Sequence, residues 1–311
     1  MKILVTGANG FLGSNLVRSF INQSDEVIAL VKSRNNIWRL KSVMDNIEIQ
    51  QCDITDTKEL RKIIKNASPD GVVHTAIYGG YPNQENETQI YNTNLFGTTN
   101  IINESFANGV DWFINTGSSS EYGNKSQPMN ENDLCEPVNS YGISKLASTL
   151  YAKSYARLNE AQIFTFRIFS AYGPYEDHNR LIPYLFTKLL SNEEPSLSSP
   201  NPVRDFIFID DIISAYHMAI EKYRKISPGE IFNLGTSTSH TVNDVANTIM
   251  EILKTRININ WGNTKGRPGD STKQWVADIK KINNLIGWKP RNSLMDGLGK
   301  TYKWMKENLS V

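Results

Sequence analysis

The chain holds only two cysteines, Cys52 and Cys135, and four scattered histidines. Two thiols make no disulfide framework, and neither residue type falls at metal-ligand spacing, so no metal site is expected. Neither sign of charge is in excess: 33 basic against 32 acidic side chains leave a formal +1. That balance gives no global electrostatic reason to expect nucleic acid or an anionic membrane as partner. No apolar run approaches the ~20 residues that span a bilayer. The opening MKILVTGANG already reads as a strand and a glycine turn, so no signal peptide is expected, and the expected address is the cytoplasm. With 311 residues, 39% of them hydrophobic, the chain has material for one large or two modest domains with a real core.

What is present is an alternation. KILVTG, DEVIALV, IEIQQCDI, GVVHTAI, WFINTGS and AQIFTFRIF are short apolar strand candidates. Between them lie helical stretches, among them GSNLVRSFINQS, TDTKELRKIIKNA, TQIYNTNLFGTTNIINESFANG and SYGISKLASTLYAKSYARLN. Strand–helix–strand alternation predicts a parallel sheet covered on both faces. The regular pattern stops near residue 170. Residues 172–203 are rich in Pro, Asn and Ser, and strand and helix signals resume at VRDFIFIDDIISAYHMAIEKY, EIFNLGT and an alternating tail. The expected architecture is α/β: a Rossmann-type doubly wound parallel sheet with a smaller, mostly C-terminal α/β lobe for substrate. The sheet domain would take 1–170 plus about 205–235, and the lobe 171–204 plus 236–311.

After the first strand comes Gly7-Ala8-Asn9-Gly10-Phe11-Leu12-Gly13. Gly7 allows a tight turn, Gly10 lets the backbone approach a pyrophosphate, and Gly13 lets helix and strand pack closely. The helix N-terminus then offers free N–H groups to the anion. The end of the second strand selects the cofactor, since an acid there bonds the ribose 2′-OH of NAD and repels a 2′-phosphate. No acid is present. Val31 is followed by Lys32, Ser33 and Arg34, two cations and a hydroxyl donor suited to that phosphate. NADP(H) is the expected cofactor, with NAD(H) the alternative if the loop is only a solvated one. Asp53 suits either an adenine-edge contact or a helix N-terminal acid. Ile54 beside it, and Ala76 after the fourth strand, complete the expected dinucleotide contacts.

Tyr141-Gly-Ile-Ser-Lys145 puts a phenol and an ammonium four apart, on one helical face. A phenol with an ordinary pKa near ~10 carries protons poorly at neutral pH, and a neighbouring ammonium favours its ionised form. With these residues the chain resembles the extended short-chain dehydrogenase/reductases, in the nucleotide-sugar epimerase/dehydratase group. NTNLFGT at 92–98, GSSSEYG at 117–123, YGISK at 141–145, AYGP at 171–174, RDFIFIDD at 204–211 and RPGD at 267–270 follow the N-terminal glycine turn in that group's order, over essentially the whole chain. RDFIFIDD, GWKP and the basic end of strand two are similar to stretches of the group's NDP-4-keto-6-deoxyhexose 4-reductases. The resemblance implies Ser118 as catalytic hydroxyl, Tyr141 as acid/base, Lys145 on the nicotinamide ribose and Asn94 bracing the site. It implies Arg204, Arg267 and Asp270 as the grip on the sugar nucleotide, and a homodimer built on the helices of Asn94 and Tyr141. Ser170 stands where several epimerases carry Asn.

The segment after Ser118 separates the group's reactions. Its dehydratases place Asp-Glu in the two following positions, where this chain has Ser119 and Ser120. A hydroxyl and a phenol suffice for redox at a sugar C4, whereas loss of water also needs a carboxylate base and an acid. Glu121 comes one residue late and, on an extended segment, points to the opposite face. Ser119 and Ser120 suit substrate contact or a tight turn. Tyr78 or Tyr81, beside Gly79-Gly80, is a candidate for facing the sugar, and His74 reads as a structural strand-end residue. The expected reaction is NADPH-dependent reduction of the C4 ketone of a nucleoside-diphospho-4-keto-6-deoxyhexose. The alternative is a 4-epimerase that keeps NAD bound. A dehydratase and a non-catalytic NADP sensor are the remaining readings.

Overall fold

Six apolar runs become parallel strands in the computed structural model, which describes residues 1–81, 83–263 and 274–308. They are β1 (Lys2–Thr6), β2 (Glu26–Val31), β3 (Glu48–Gln51), β4 (Gly71–His74), β5 (Trp112–Ser118) and β6 (Ile163–Ile168). Together with Glu230–Leu234 they form a seven-stranded sheet in the order β3-β2-β1-β4-β5-β6-(230–234). Registers such as Val5↔Ala29 and Val5↔Val73 run parallel on both sides of β1. β4, β5 and β6 are buried at every position, which is why they read as continuous apolar runs rather than alternating ones.

The helices follow their local signals. α1 (Phe11–Asn22) starts at Gly10. α2 (Thr57–Ala67) is capped by Asp56, whose carboxylate accepts from the Lys58 and Glu59 N–H groups. It buries Leu60, Ile63, Ile64 and Ala67, one face at helical spacing. The helical stretch expected over 89–107 is interrupted. α3 (Glu87–Tyr91) and α4 (Thr98–Ala107) are joined by a wider π-type turn over Asn92–Gly97, a form often found at functional sites. α5 (Ser140–Asn159) is capped by Asn139 and turns Gly142, Ser144, Lys145, Ser148, Thr149, Ala152 and Ala156 inward. Those residues are mostly small, so the helix lies close on β5 and β6.

The chain divides into two compact units. The first comprises Met1–Gly123, Leu134–Ile168 and Tyr216–Phe232; the second comprises Asn124–Asp133, Phe169–Ala215 and Asn233–Val311. Residues 124–133, 169–170, 205–215 and 233–235 thus go with the second unit, whereas the sequence division put them with the sheet. The second unit carries the helices Leu181–Leu190, Val242–Leu253 and Leu294–Asn308 and three two-stranded pairings. Its polar centre is Asp205, fully buried, which accepts from the N–H groups of Thr236, Ser237 and Ala277 and from the Thr236 hydroxyl. Among the described residues no helix is long and apolar enough to cross a membrane.

Candidate active site

In an open parallel sheet the crevice forms at the carboxyl ends of the strands, where the strand order reverses. Here that point lies between β1 and β4, and the expected cofactor residues gather at those strand ends within the first unit. Gly7 has φ +62°, and a Cβ there would lie 2.7 Å from the backbone of Ala76. A Cβ on Gly13 would lie 2.4 Å from the Gly7 carbonyl oxygen. The turn is therefore closed to any larger residue at both positions. Gly10 caps α1 without a side-chain bond, so the first-turn N–H groups of Phe11, Leu12 and Gly13 are left for an anion. This cradle fits a dinucleotide pyrophosphate.

At the end of β2, Lys32 pairs with Asp53 at 2.8 Å. Burial alone would raise the Asp53 carboxyl pKa. Lys32 and two bonds from Thr55 outweigh it and hold the group below its ordinary value. The helix N-terminal reading of Asp53 does not hold, because Asp56 caps α2 while Asp53 closes a turn onto the Thr55 N–H. Arg34 donates to the Ile49 carbonyl at 2.6 Å, and the Ser33 hydroxyl accepts from the Asn35 N–H. Ile54 is a core residue packed against Gly97. Among the described residues no group of His, Cys, Asp or Glu could hold a metal ion.

A buried polar chain ties the glycine turn to α5. The Thr6 hydroxyl accepts from the N–H groups of Thr75 and Ala76 and meets His74 Nδ1 at 2.7 Å. His74 Nε2 meets the Thr98 hydroxyl at 2.9 Å, and Thr98 in turn donates to the Asn94 carbonyl. Thr98 therefore accepts from Nε2–H, and Nδ1 accepts from Thr6. Burial, and then the Lys145 charge, push the His74 pKa down to about 3, so the ring is neutral. The Asn94 amide clamps Tyr78 by both its N–H and its carbonyl and donates to the Ser144 hydroxyl, which donates to the Tyr141 carbonyl. Asn94 sits in the π-type turn, so that irregular segment aims its amide at the helix of Tyr141 and Lys145.

Ser118 ends β5, and its hydroxyl caps the 3-10 turn Ser119–Glu121 by accepting from the Ser120 N–H. Lys145 is 1% exposed, and desolvation lowers its pKa to about 8, with the Glu121 carboxylate opposing the fall. Glu121 itself faces inward and is fully buried. Its Oε1 accepts from the Ser118 N–H at 2.8 Å and the Thr149 hydroxyl at 3.0 Å, and its Oε2 accepts from Arg167 Nε at 2.7 Å. Ser170 and Arg204 belong to the second unit. Ser170 lies on a strand paired with Phe206–Phe208, and the Arg204 guanidinium lies 5.1 Å from the Trp275 ring. Arg267 and Asp270 lie outside the described residues. Ser144, Thr98, Thr6, Thr149 and Arg167 went unread in the sequence, because polar residues inside apolar runs give no local signal.

A glycine-turned parallel sheet, with α5 and its buried Lys145 packed on the Ser118-ended β5, is the frame of a dinucleotide-binding enzyme. The chain belongs to the NAD dependent epimerase/dehydratase family, whose model matches residues 3–235. It is 25% identical over 328 residues to a UDP-glucose 4-epimerase of Lactobacillus helveticus, covering 99% of this chain and 98% of that one. The crystal structure of a UDP-glucose 4-epimerase from Thermotoga maritima with UDP-glucose matches with a TM-score of 0.91 at 26% identity, over 100% of both chains. That of a Bacillus cereus UDP-glucuronic acid 4-epimerase in complex with UDP-glucuronic acid and NAD matches with a TM-score of 0.87 at 27% identity, over 99% of each.

Proposed function

We propose that this protein inverts the C4 configuration of a nucleoside-diphospho-hexose, as a 4-epimerase that retains its NAD. The carrying observation is the segment after β5. Ser119 and Ser120 hold no carboxylate, and both oxygens of Glu121 are bonded within the protein, so no carboxylate in that segment is free to take a C5 proton. That supports redox at C4 over loss of water. The epimerase relatives, similar over nearly their whole length, favour inversion over net reduction, and uridine diphosphate is the nucleotide in those relatives' substrates.

A bound nicotinamide dinucleotide supplies the two-electron oxidation of the C4 carbinol and the re-reduction of the ketone. The chain supplies proton transfer and charge. Tyr141 takes the C4 hydroxyl proton on oxidation and returns it on reduction. Ser118 donates to the C4 oxygen as charge develops there. Lys145 favours the ionised phenol and bonds the nicotinamide ribose. Arg204, Arg267 and Asp270 grip the nucleotide, and Ser170, Tyr78 and the two serines meet the sugar. Over a full cycle the substrate and cofactor keep their oxidation states.

A second reading is the NADPH-dependent 4-ketoreductase, favoured by Lys32, Ser33, Arg34 and the missing acid after β2. Stoichiometry separates the two. The epimerase interconverts UDP-hexoses with no net change in nicotinamide absorbance and carries NAD through purification. One NADPH consumed per 4-keto sugar overturns it in favour of the reductase. Tyr141→Phe abolishes either activity, and an unchanged rate in that variant rejects the mechanism. We also infer a dimer of two copies through the helical segments that carry Asn94 and Tyr141; Ile143, Leu150 and Leu158 are exposed on α5, and light scattering at the monomer mass rejects it.

A further inference from the structure

We propose that the buried Glu121–Arg167 pair is a positioning device for the Ser118–Tyr141–Lys145 set, one carboxylate locking the Ser118 main chain and the Lys145 face of α5 onto β6. The inference rests on the assignment of those three residues as the working set.

Three parts of the site converge on Glu121. Its Oε1 holds the main-chain N–H of Ser118, the residue at the end of β5. The same oxygen accepts from the Thr149 hydroxyl, one turn beyond Lys145 on the inward face of α5. Oε2 accepts from Arg167 Nε near the carboxyl end of β6, and the guanidinium also lies 4.5 Å from the centre of the Tyr122 ring. Both charges are out of solvent, with side-chain exposures of 3% and 0%. The neighbouring chain is shaped around the pair. A Cβ on Gly117 would fall 2.6 Å from Glu121 Oε1, so glycine at 117 is what lets the carboxylate reach Ser118.

A buried ion pair costs desolvation on both partners and is weak evidence of stabilisation for its own sake. Here it has a geometric and an electrostatic consequence. Deleting the carboxylate frees the Ser118 main chain and the Thr149 turn together. It also leaves two cations, Arg167 and Lys145, buried without their anion. Among the described residues, His74 on β4 and Glu121 on the 3-10 turn act electrostatically with Lys145, and Tyr141 lies one turn before it on the same helix. His74 is neutral, so Glu121 is the anion that opposes loss of the Lys145 proton.

The test uses the full chain with 13C-labelled lysine, the Lys145 Cε resonance being assigned by its absence in Lys145→Arg. In the wild type that resonance is expected to titrate at about 8. In Glu121→Gln the midpoint is expected to fall by about half a pH unit or more. Thr149→Val keeps the ion pair and removes only the tie to α5. It is expected to lower kcat about five-fold or more with the nucleotide-sugar KM within about two-fold, and Thr149→Ser to restore it. A Lys145 midpoint unmoved in Glu121→Gln overturns the proposal, as does a wild-type kcat in Thr149→Val. If Glu121→Gln fails to fold, Thr149→Val decides. If the wild type turns over no nucleotide sugar, the reaction assignment fails and the lysine titration alone decides the positioning role.

Discussion

Consider acidifying the protein from pH 7.5 to pH 5.5, with and without His74→Gln. In the folded chain the ring is fully buried, bonded through both nitrogens, and its pKa is pushed down to about 3 by burial and by the Lys145 charge. In the unfolded chain it returns to its ordinary value of about 6.5. Between those two values the unfolded state binds the extra proton, so stability rises with pH. The contribution of His74 is complete above about pH 6.5 and is lost as pH falls from there toward about 3. At about 1.4 kcal/mol per unit, the step from pH 7.5 to 5.5 removes about 1.4 kcal/mol through this one group. Urea unfolding at both pH values measures the loss in each protein. His217 is half-buried, and its pKa is also lowered, by desolvation first, but it is common to both proteins and cancels in the difference. The wild type is expected to lose about 1.4 kcal/mol more than His74→Gln over that interval. Equal losses would refute the reasoning, whatever constant stability offset the variant carries, and with it the claim that a neutral imidazole links the glycine turn to Asn94.

Four further variants have expected outcomes. Gly13→Ala brings a Cβ within 2.4 Å of the Gly7 carbonyl oxygen and should cost about 1–3 kcal/mol as an overpacked contact. Gly299→Ala, in the C-terminal helix with nothing within 4 Å, should stabilise by about 0.5–1 kcal/mol; equal thermal midpoints for the two variants contradict the close approach of α1 to its turn. Arg34→Ala should weaken NADPH by about ten-fold while changing NADH little, read by nicotinamide fluorescence, and equal weakening rejects a phosphate-binding role. Asp205→Asn places an amide N–H2 among four donors and should destabilise the protein by about 3 kcal/mol or more in urea; an unchanged midpoint removes Asp205 as the polar centre of the second unit.

Much of the first unit was legible in the residues. Continuous apolar runs gave the buried parallel strands, helical spacing gave α2 and α5, and the three glycines gave the turn. The Tyr141–Lys145 spacing on one helix and the serine-ended strand also followed from short-range pattern, while the choice of Ser118 among the serines came from the family resemblance. Glu121 was misread. Strand alternation would turn it away from the site, but β5 ends at Ser118, and the 3-10 turn that follows swings the carboxylate inward. The helix expected over 89–107 is broken by a π-type turn that no composition marks. The reading of Asp53 as a helix N-terminal acid gave way to Asp56, three residues on, where α2 begins.

The sequence by itself determined the strand–helix alternation, the glycine cradle and the spacing of phenol and ammonium, because each depends on neighbours within a turn or two of chain. Only the tertiary structure decided the partners that tune them. His74 meets Thr6 across 68 residues, and Glu121 meets Arg167 across 46. Such pairings are made by adjacent strands and packed helices, whose buried polar groups must find partners wherever the fold brings them. Linear pattern carries no trace of that demand, so the charges and hydrogen bonds that shape the site emerge only once the chain has folded.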